Sequence, residues 1–218
     1  VDDAVSREDI NYIIGEMVSE LNIGHAYNAP VSYETPAQSN VGLLGADFAL
    51  EKTANGSAFK IIKIYNGGIW DTDARSPLSQ PGIDAKEGEF ILAVNGVPID
   101  TTKDVWAAFQ GMADKTITLT LGKTASMDAD TRDVLVKPIA SDVALRYRAW
   151  IEKNRQYVFE KSKGRIGYIY VPNTGQDGQS DLVRQFTGQR AMDGLIIDER
   201  WNGGGQIPTR FIELLNRP

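Results

Sequence analysis

The stretch Gly194-Leu-Ile-Ile-Asp-Glu-Arg-Trp-Asn-Gly-Gly-Gly205 limits what this chain can fold into more than any other. Leu195, Ile196 and Ile197 form an unbroken apolar run between polar neighbours, the pattern of a strand buried on both faces. Asn202 and three consecutive glycines follow, freeing the backbone to take dihedrals that a Cβ forbids. Phe211, Ile212, Leu214 and Leu215 then recur at helical spacing, so the glycines join a buried strand to a helix. A join of that kind leaves backbone N–H groups at a helix N-terminus, where negative charge is stabilised. Two chemistries use such a place: cradling a phosphate and holding the oxyanion of acyl transfer. The segment Asn202-Gly-Gly-Gly-Gln-Ile lacks the Gly-Lys-Ser/Thr ending of a phosphate loop, which disfavours the first. A plain strand–helix turn fits the same residues.

The 218 residues suffice for two modest domains, and 42% hydrophobic with 24% charged residues marks a globular chain. A net charge of −6 argues against nucleic acid as the main partner. Cysteine is absent, which removes disulfides, thiolate metal sites and a cysteine nucleophile. No apolar run approaches the 18 or so residues a membrane span requires. Val1 is not an initiator Met, and Pro218 stands directly behind an apparent helix. That pattern is expected of a segment of a longer protein.

Ser6-Arg-Glu-Asp9 reads as a capping box opening a helix. Ile10, Ile13, Ile14, Met17, Val18 and Leu21 supply its apolar stripe, and Asn22 to Gly24 end it. His25, the single histidine, stands at that helix exit in Asn22-Ile-Gly-His-Ala-Tyr27. A lone histidine is commonly structural, but a fixed corner is where a catalytic imidazole has to be held. A metal site has no second histidine or cysteine to complete it. Residues 28–40 read as a linker. Short strands follow to about Ile139, with Asn-Gly turns at Asn55-Gly56 and Asn95-Gly96. Ser57 beside the first turn is explained by turn chemistry alone. Thr101 to Asp104 resembles a second capping box, opening a helix through Val105, Trp106, Phe109 and Met112. Ala144 to Ser162 reads as a long charged helix, with Leu145, Trp150, Ile151, Tyr157 and Val158 inward. A strand at Gly164 to Pro172 and a short helix near Leu182, Val183 and Phe186 then lead back to the opening stretch. The alternation of strand and helix implies α/β packing with parallel strands.

Leu78-Ser-Gln-Pro-Gly-Ile83, Glu87-Gly-Glu-Phe-Ile91 and Val94-Asn-Gly-Val-Pro-Ile99 resemble the signature of a PDZ domain over about 100 residues. The resemblance implies that Val41 to Phe48 holds the carboxylate-binding loop and its strand, with Leu43, Leu44, Gly45, Ala46 and Phe48 facing a peptide. In that mode an extended peptide adds to a sheet edge through backbone hydrogen bonds. A PDZ-like domain that binds nothing and caps its neighbour fits the same residues.

Taken together, the His25 corner, the PDZ-like block and the Asn-Gly-Gly-Gly strand exit resemble the tail-specific serine proteases, most closely the tricorn group. The segments Tyr147 to Val158, Ser162 to Ile169 and Gly194 to Gly205 carry the closest similarity. The resemblance implies a mixed α/β fold, the start of a crotonase/ClpP-like catalytic core with an inserted PDZ domain. The domains so implied are 1–40, a first catalytic subdomain; 41–140, the PDZ domain; and 141–218, the start of a second catalytic subdomain. It also implies peptidase activity on peptides or unfolded polypeptides without a cofactor, leaving homo-oligomerisation of the longer protein open. His25 matches the catalytic histidine, and Gly203, Gly204 and Gly205 match the segment that binds substrate backbone and helps form the oxyanion hole. The nucleophilic serine and a supporting glutamate are placed beyond Pro218, so these residues alone are expected to be inactive. Gly24 departs from tricorn-like members, which often carry Ser there. The alternative is a non-catalytic PDZ peptide-binding scaffold.

Overall fold

A computed structural model of the chain describes residues 2–28, 40–54, 56–68, 75–206 and 208–216. The expected linker falls almost wholly outside these residues, as does Asn55 of the first Asn-Gly turn. The chain divides into two units, Val1–Ser39 and Asn40–Pro218.

In the first unit, α1 (Arg7–Ser19) opens on the expected capping box. Ser6 Oγ accepts the Asp9 N–H at 3.1 Å, while Asp9 Oδ2 accepts the Ser6 N–H at 2.9 Å. Two donors that a helix start leaves orphaned are thereby satisfied. Asn22, at φ 51°, turns the chain out of the helix. The apolar stripe of α1 is not a buried one, since Ile10, Ile14, Met17 and Leu21 are all exposed.

The second unit begins with an antiparallel sheet. Its strands are β1 (Ala46–Thr53), β2 (Gly56–Ile64), β3 (Phe90–Val94), β4 (Val97–Pro98), β5 (Ile117–Gly122) and β6 (Arg132–Val136). The order is β1-β2-β3-β5-β6, with β4 hairpinned onto β3 across the Asn95-Gly96 turn. Asn95 and Gly96 both have positive φ, as a two-residue hairpin turn of this kind requires. The alternation of β5 buries Ile117, Leu119 and Leu121 against Leu44, Ile61, Ile91 and Phe109. Each such side chain contributes about 1.5–3 kcal/mol by leaving water. Thr120, on the other face of β5, is also buried, and its hydroxyl donates to Asp133 Oδ1 of the flanking β6 at 2.7 Å.

The helix expected from Thr101 is instead a five-residue 3₁₀ turn, Val105–Phe109. Asp104 caps it by accepting the Trp106 N–H at 2.8 Å. Gly111 and Asp114, both at positive φ, bend the backbone away before a longer helix can propagate.

Helix α2 (Val143–Lys161) leads out of this sheet and is latched to it. Arg146 donates to Asp142 Oδ2 at 2.9 Å and to Asp47 Oδ1 at 2.6 Å, and reaches the Ala46 carbonyl at 3.3 Å. Its guanidinium lies 4.6 Å from the centre of the Tyr65 ring, and Tyr65 OH donates to Asp47 Oδ2 at 2.7 Å. Leu145 is buried as expected, whereas Tyr157 is exposed.

The last layer is a parallel pair, β7 (Ile166–Tyr170) and β8 (Gly194–Asp198), crossed by α3 (Gln176–Thr187) and followed by α4 (Pro208–Leu215). Leu195 and Ile197 face Ile169, Val171, Leu182 and Phe211. Ile196, on the other face, is 47% exposed, which corrects the expectation of a strand buried on both sides. Helix α2 covers that face over β7, where Tyr168 is buried, but leaves Ile196 open. The opposite edge of β7 is closed by α3. Gln185 and Gln189 each accept a backbone N–H and donate to the carbonyl of the same strand residue, Tyr170 and Tyr168 respectively.

Candidate functional site

Strand β8 ends at Asp198, a carboxylate that is 8% exposed. It accepts Tyr168 OH at 2.6 Å, the Arg200 backbone N–H at 3.0 Å and Arg200 Nε at 2.9 Å. The Arg200 guanidinium, more than the other donors, holds its carboxyl well below the usual carboxylate range, against the opposing effect of burial. Conversely, burial and the Asp198 carboxylate push the Tyr168 phenol up to about 12. The chain leaving the strand is thus turned by a fixed charge.

Aromatic rings support the turn from below. Tyr147 OH donates to Tyr170 OH, which in turn donates to the Arg200 carbonyl at 2.7 Å. Trp150 stacks on Tyr147 at 6.0 Å and meets Trp201 at 5.4 Å, with the Arg200 guanidinium 5.1 Å from its centroid. Trp201 has φ 61°, a conformation uncommon for any residue but glycine, and the residue is 75% exposed.

The glycines come next. Gly203 N–H donates to the Pro172 carbonyl at 2.9 Å, and Gly204 N–H to Asn202 Oδ1 at 2.7 Å. The Gly204 carbonyl accepts the Thr174 N–H at 2.9 Å. Gly205 N–H has no hydrogen-bond partner among the described residues. The peptide joining Gly204 to Gly205 is trans, so its N–H points opposite to its carbonyl and away from Thr174. Gly204 has φ 79°, and a Cβ there would meet open space. Gly205 has φ 152°, and a Cβ there would lie 2.3 Å from the Thr174 carbonyl carbon, so only glycine fits. Two of the three glycine N–H groups are thus taken up within the loop. Helix α4 starts at Pro208, and the glycines instead back onto Gly175, the N-cap of α3.

His25 lies in the first unit, in an exposed turn where the Ala26 N–H reaches the Ile23 carbonyl at 3.3 Å and the Tyr27 ring stands edge-on at 6.2 Å. In the sheet, Leu44, Gly45 and Ala46 are buried. Leu43 N–H is taken by the Ile139 carbonyl at 2.8 Å, and Ser76 Oγ donates to the Leu44 carbonyl at 3.0 Å. A Cβ at Gly45 would meet Leu145 and Ser76. Phe48 packs edge-on against Trp106 with centroids 5.6 Å apart. Sequence reasoning missed the Asp198–Arg200–Tyr168 cluster and the Asn202 amide. Their only signal was an Asp and an Arg two apart at a strand end, followed by Asn before glycine.

A PDZ-type sheet latched to a parallel α/β layer whose strand runs into a glycine loop is, by its similarity to the proteins that follow, a protease-related chain bearing a PDZ domain. Residues 42–141 match the family described as the tricorn protease PDZ domain. Along its whole length the chain is similar to tricorn proteases. It is 32% identical over 215 residues to a tricorn protease of Thermoplasma volcanium, covering 99% of this chain and 20% of the relative. It is 34% identical over 217 residues to tricorn protease homolog 1 of Streptomyces coelicolor, covering 100% of this chain and 20% of that protein. The fold superposes on a crystal structure of the tricorn protease with a TM-score of 0.83 and 30% identity, over 99% of this chain and 20% of the other. The chain therefore spans about a fifth of the length of these relatives.

Proposed function

We propose that these residues form part of a serine peptidase acting on peptides or unfolded polypeptides, supplying the general base and one side of the oxyanion hole. The observation that carries this reading is the Gly204–Gly205 peptide, whose N–H has no hydrogen-bond partner among the described residues while its carbonyl is held by the Thr174 N–H. A preorganised donor of this kind favours developing oxyanion charge, because no reorganisation is needed as the charge appears. Of the three glycines, Gly205 is the donor in this reading, and Gly203 and Gly204 frame it.

His25 is proposed as the base, since imidazole titrates near neutral pH and serine needs such a partner to become nucleophilic. The nucleophile itself is assigned to a part of the longer protein outside these residues. For the PDZ domain, the burial of Leu44, Gly45 and Ala46 and the Arg146 latch favour packing on the core. A peptide would enter beside Leu43 and Phe48 only if Trp106 first moved off Phe48.

The test is turnover of fluorogenic peptides by the longer protein and its His25→Ala variant. Turnover that is abolished by a serine-reactive inhibitor and falls by at least about 10²-fold in the variant, with melting unchanged, is expected. Undiminished turnover in the variant would remove His25 from the mechanism.

A further inference from the structure

Three successive peptide units carry the chain through the glycine loop, and among the described residues each is pinned by a single hydrogen bond. The Asn202–Gly203 unit is held through Gly203 N–H on the Pro172 carbonyl, and the Gly204–Gly205 unit through its carbonyl on Thr174 N–H. Between them, the Gly203–Gly204 unit is held through Gly204 N–H on Asn202 Oδ1. Only this middle pin is a side chain. The same amide is anchored from behind, because Asn202 Nδ2 donates to the Val171 carbonyl at 3.1 Å, on the continuation of β7. Its backbone N–H is fixed on the Glu199 carbonyl at 3.0 Å.

Glycine resists rotation of its peptide planes less than any other residue. A Gly203–Gly204 unit without its pin has no steric reason to keep one orientation, and it is covalently joined to the unit that aims the Gly205 N–H. We infer that Asn202 is a positioning residue, one that ties the β7 exit to the glycine loop and thereby sets the direction of the donor at Gly205. The inference rests on the peptidase reading for its consequence but not for its geometry. Both are tested apart.

Amide hydrogen exchange of this chain tests the geometry. In Asn202→Ala the Gly204 amide should exchange at least about tenfold faster, with Tyr168, Ile169 and Gly203 amides unchanged. Asn202→Asp keeps an acceptor for Gly204 and should restore most of the protection. Unchanged Gly204 exchange in Asn202→Ala would overturn the inference, as would equal acceleration throughout β7, which marks an ordinary structural residue. Turnover by the longer protein tests the consequence. Asn202→Ala should lower kcat by about 10²-fold, the effect of losing one oxyanion donor, with KM within about threefold. Unchanged kcat, or an equal rise in KM, would sink the positioning role. A wild-type protein without turnover would instead sink the peptidase reading, leaving exchange to decide what Asn202 holds.

Discussion

Gln185 on α3 and Tyr170 on β7 are joined as two strand residues would be. The Gln185 amide oxygen accepts the Tyr170 N–H at 3.1 Å, and its amide nitrogen donates to the Tyr170 carbonyl at 2.9 Å. One helical turn on, Gln189 repeats the arrangement at Tyr168, at 2.8 and 3.0 Å. The spacing of four on a helix thus matches the spacing of two on a strand, and two side chains stand in for a neighbouring strand. An open edge is a template for pairing with another chain, so the glutamines protect this one.

Replacing both by leucine should therefore expose the edge. Gln185→Leu with Gln189→Leu is expected to destabilise the chain by about 1 kcal/mol for each lost hydrogen bond and to promote self-association above the wild-type level. Light scattering across a concentration series, with melting curves, checks this. A double variant with wild-type mass and melting would refute the edge-closing role.

Acid should act through Asp198. Its carboxyl is held below the usual range chiefly by Arg200, so folding favours the charged form. The stabilisation is full above the unfolded value of about 4 and is lost as pH falls through the depressed folded value. Asp198→Asn should be less stable by about 1.5–3 kcal/mol at pH 7, with the gap to wild type closing below about pH 4. Urea unfolding from pH 7 to pH 2 measures it, and a gap constant with pH would rule out the charge as its source.

Gly204 and Gly205 should respond differently to alanine. At Gly204 the cost is backbone strain alone, about 1–2 kcal/mol, because the space for a Cβ is open. At Gly205 the strand-exit backbone of Thr174 and Gly175 must also move, so the loss of stability should be larger. Equal melting temperatures for the two variants would contradict this packing.

Position 24 offers a gain. A Cβ at Gly24 meets nothing within 4 Å, so serine fits there, with an expected stability change within about 0.5 kcal/mol. If the residue before His25 helps orient the imidazole, Gly24→Ser should raise turnover of the longer protein severalfold. Unchanged kinetics in a folded variant would exclude that support.

Patterns that repeat within a few residues were legible in the sequence. The capping box at Ser6 and Asp9, the alternation of Ile117, Leu119 and Leu121, the Asn95-Gly96 hairpin and the strand–glycine–helix order each follow from local sterics and hydrogen bonding. What reads badly is whatever depends on a neighbour distant in sequence. Ile196 looks like Leu195 and Ile197, yet only packing decided that α2 would cover β7 and leave Ile196 open. Val105 to Phe109 has the composition of a helix, but the bends at Gly111 and Asp114 held it to one tight turn. The three glycines announced a flexible loop with available N–H groups. Tertiary structure alone assigned two of those groups to Pro172 and Asn202 and left Gly205 outward, because a backbone donor goes to whichever acceptor the fold brings within reach.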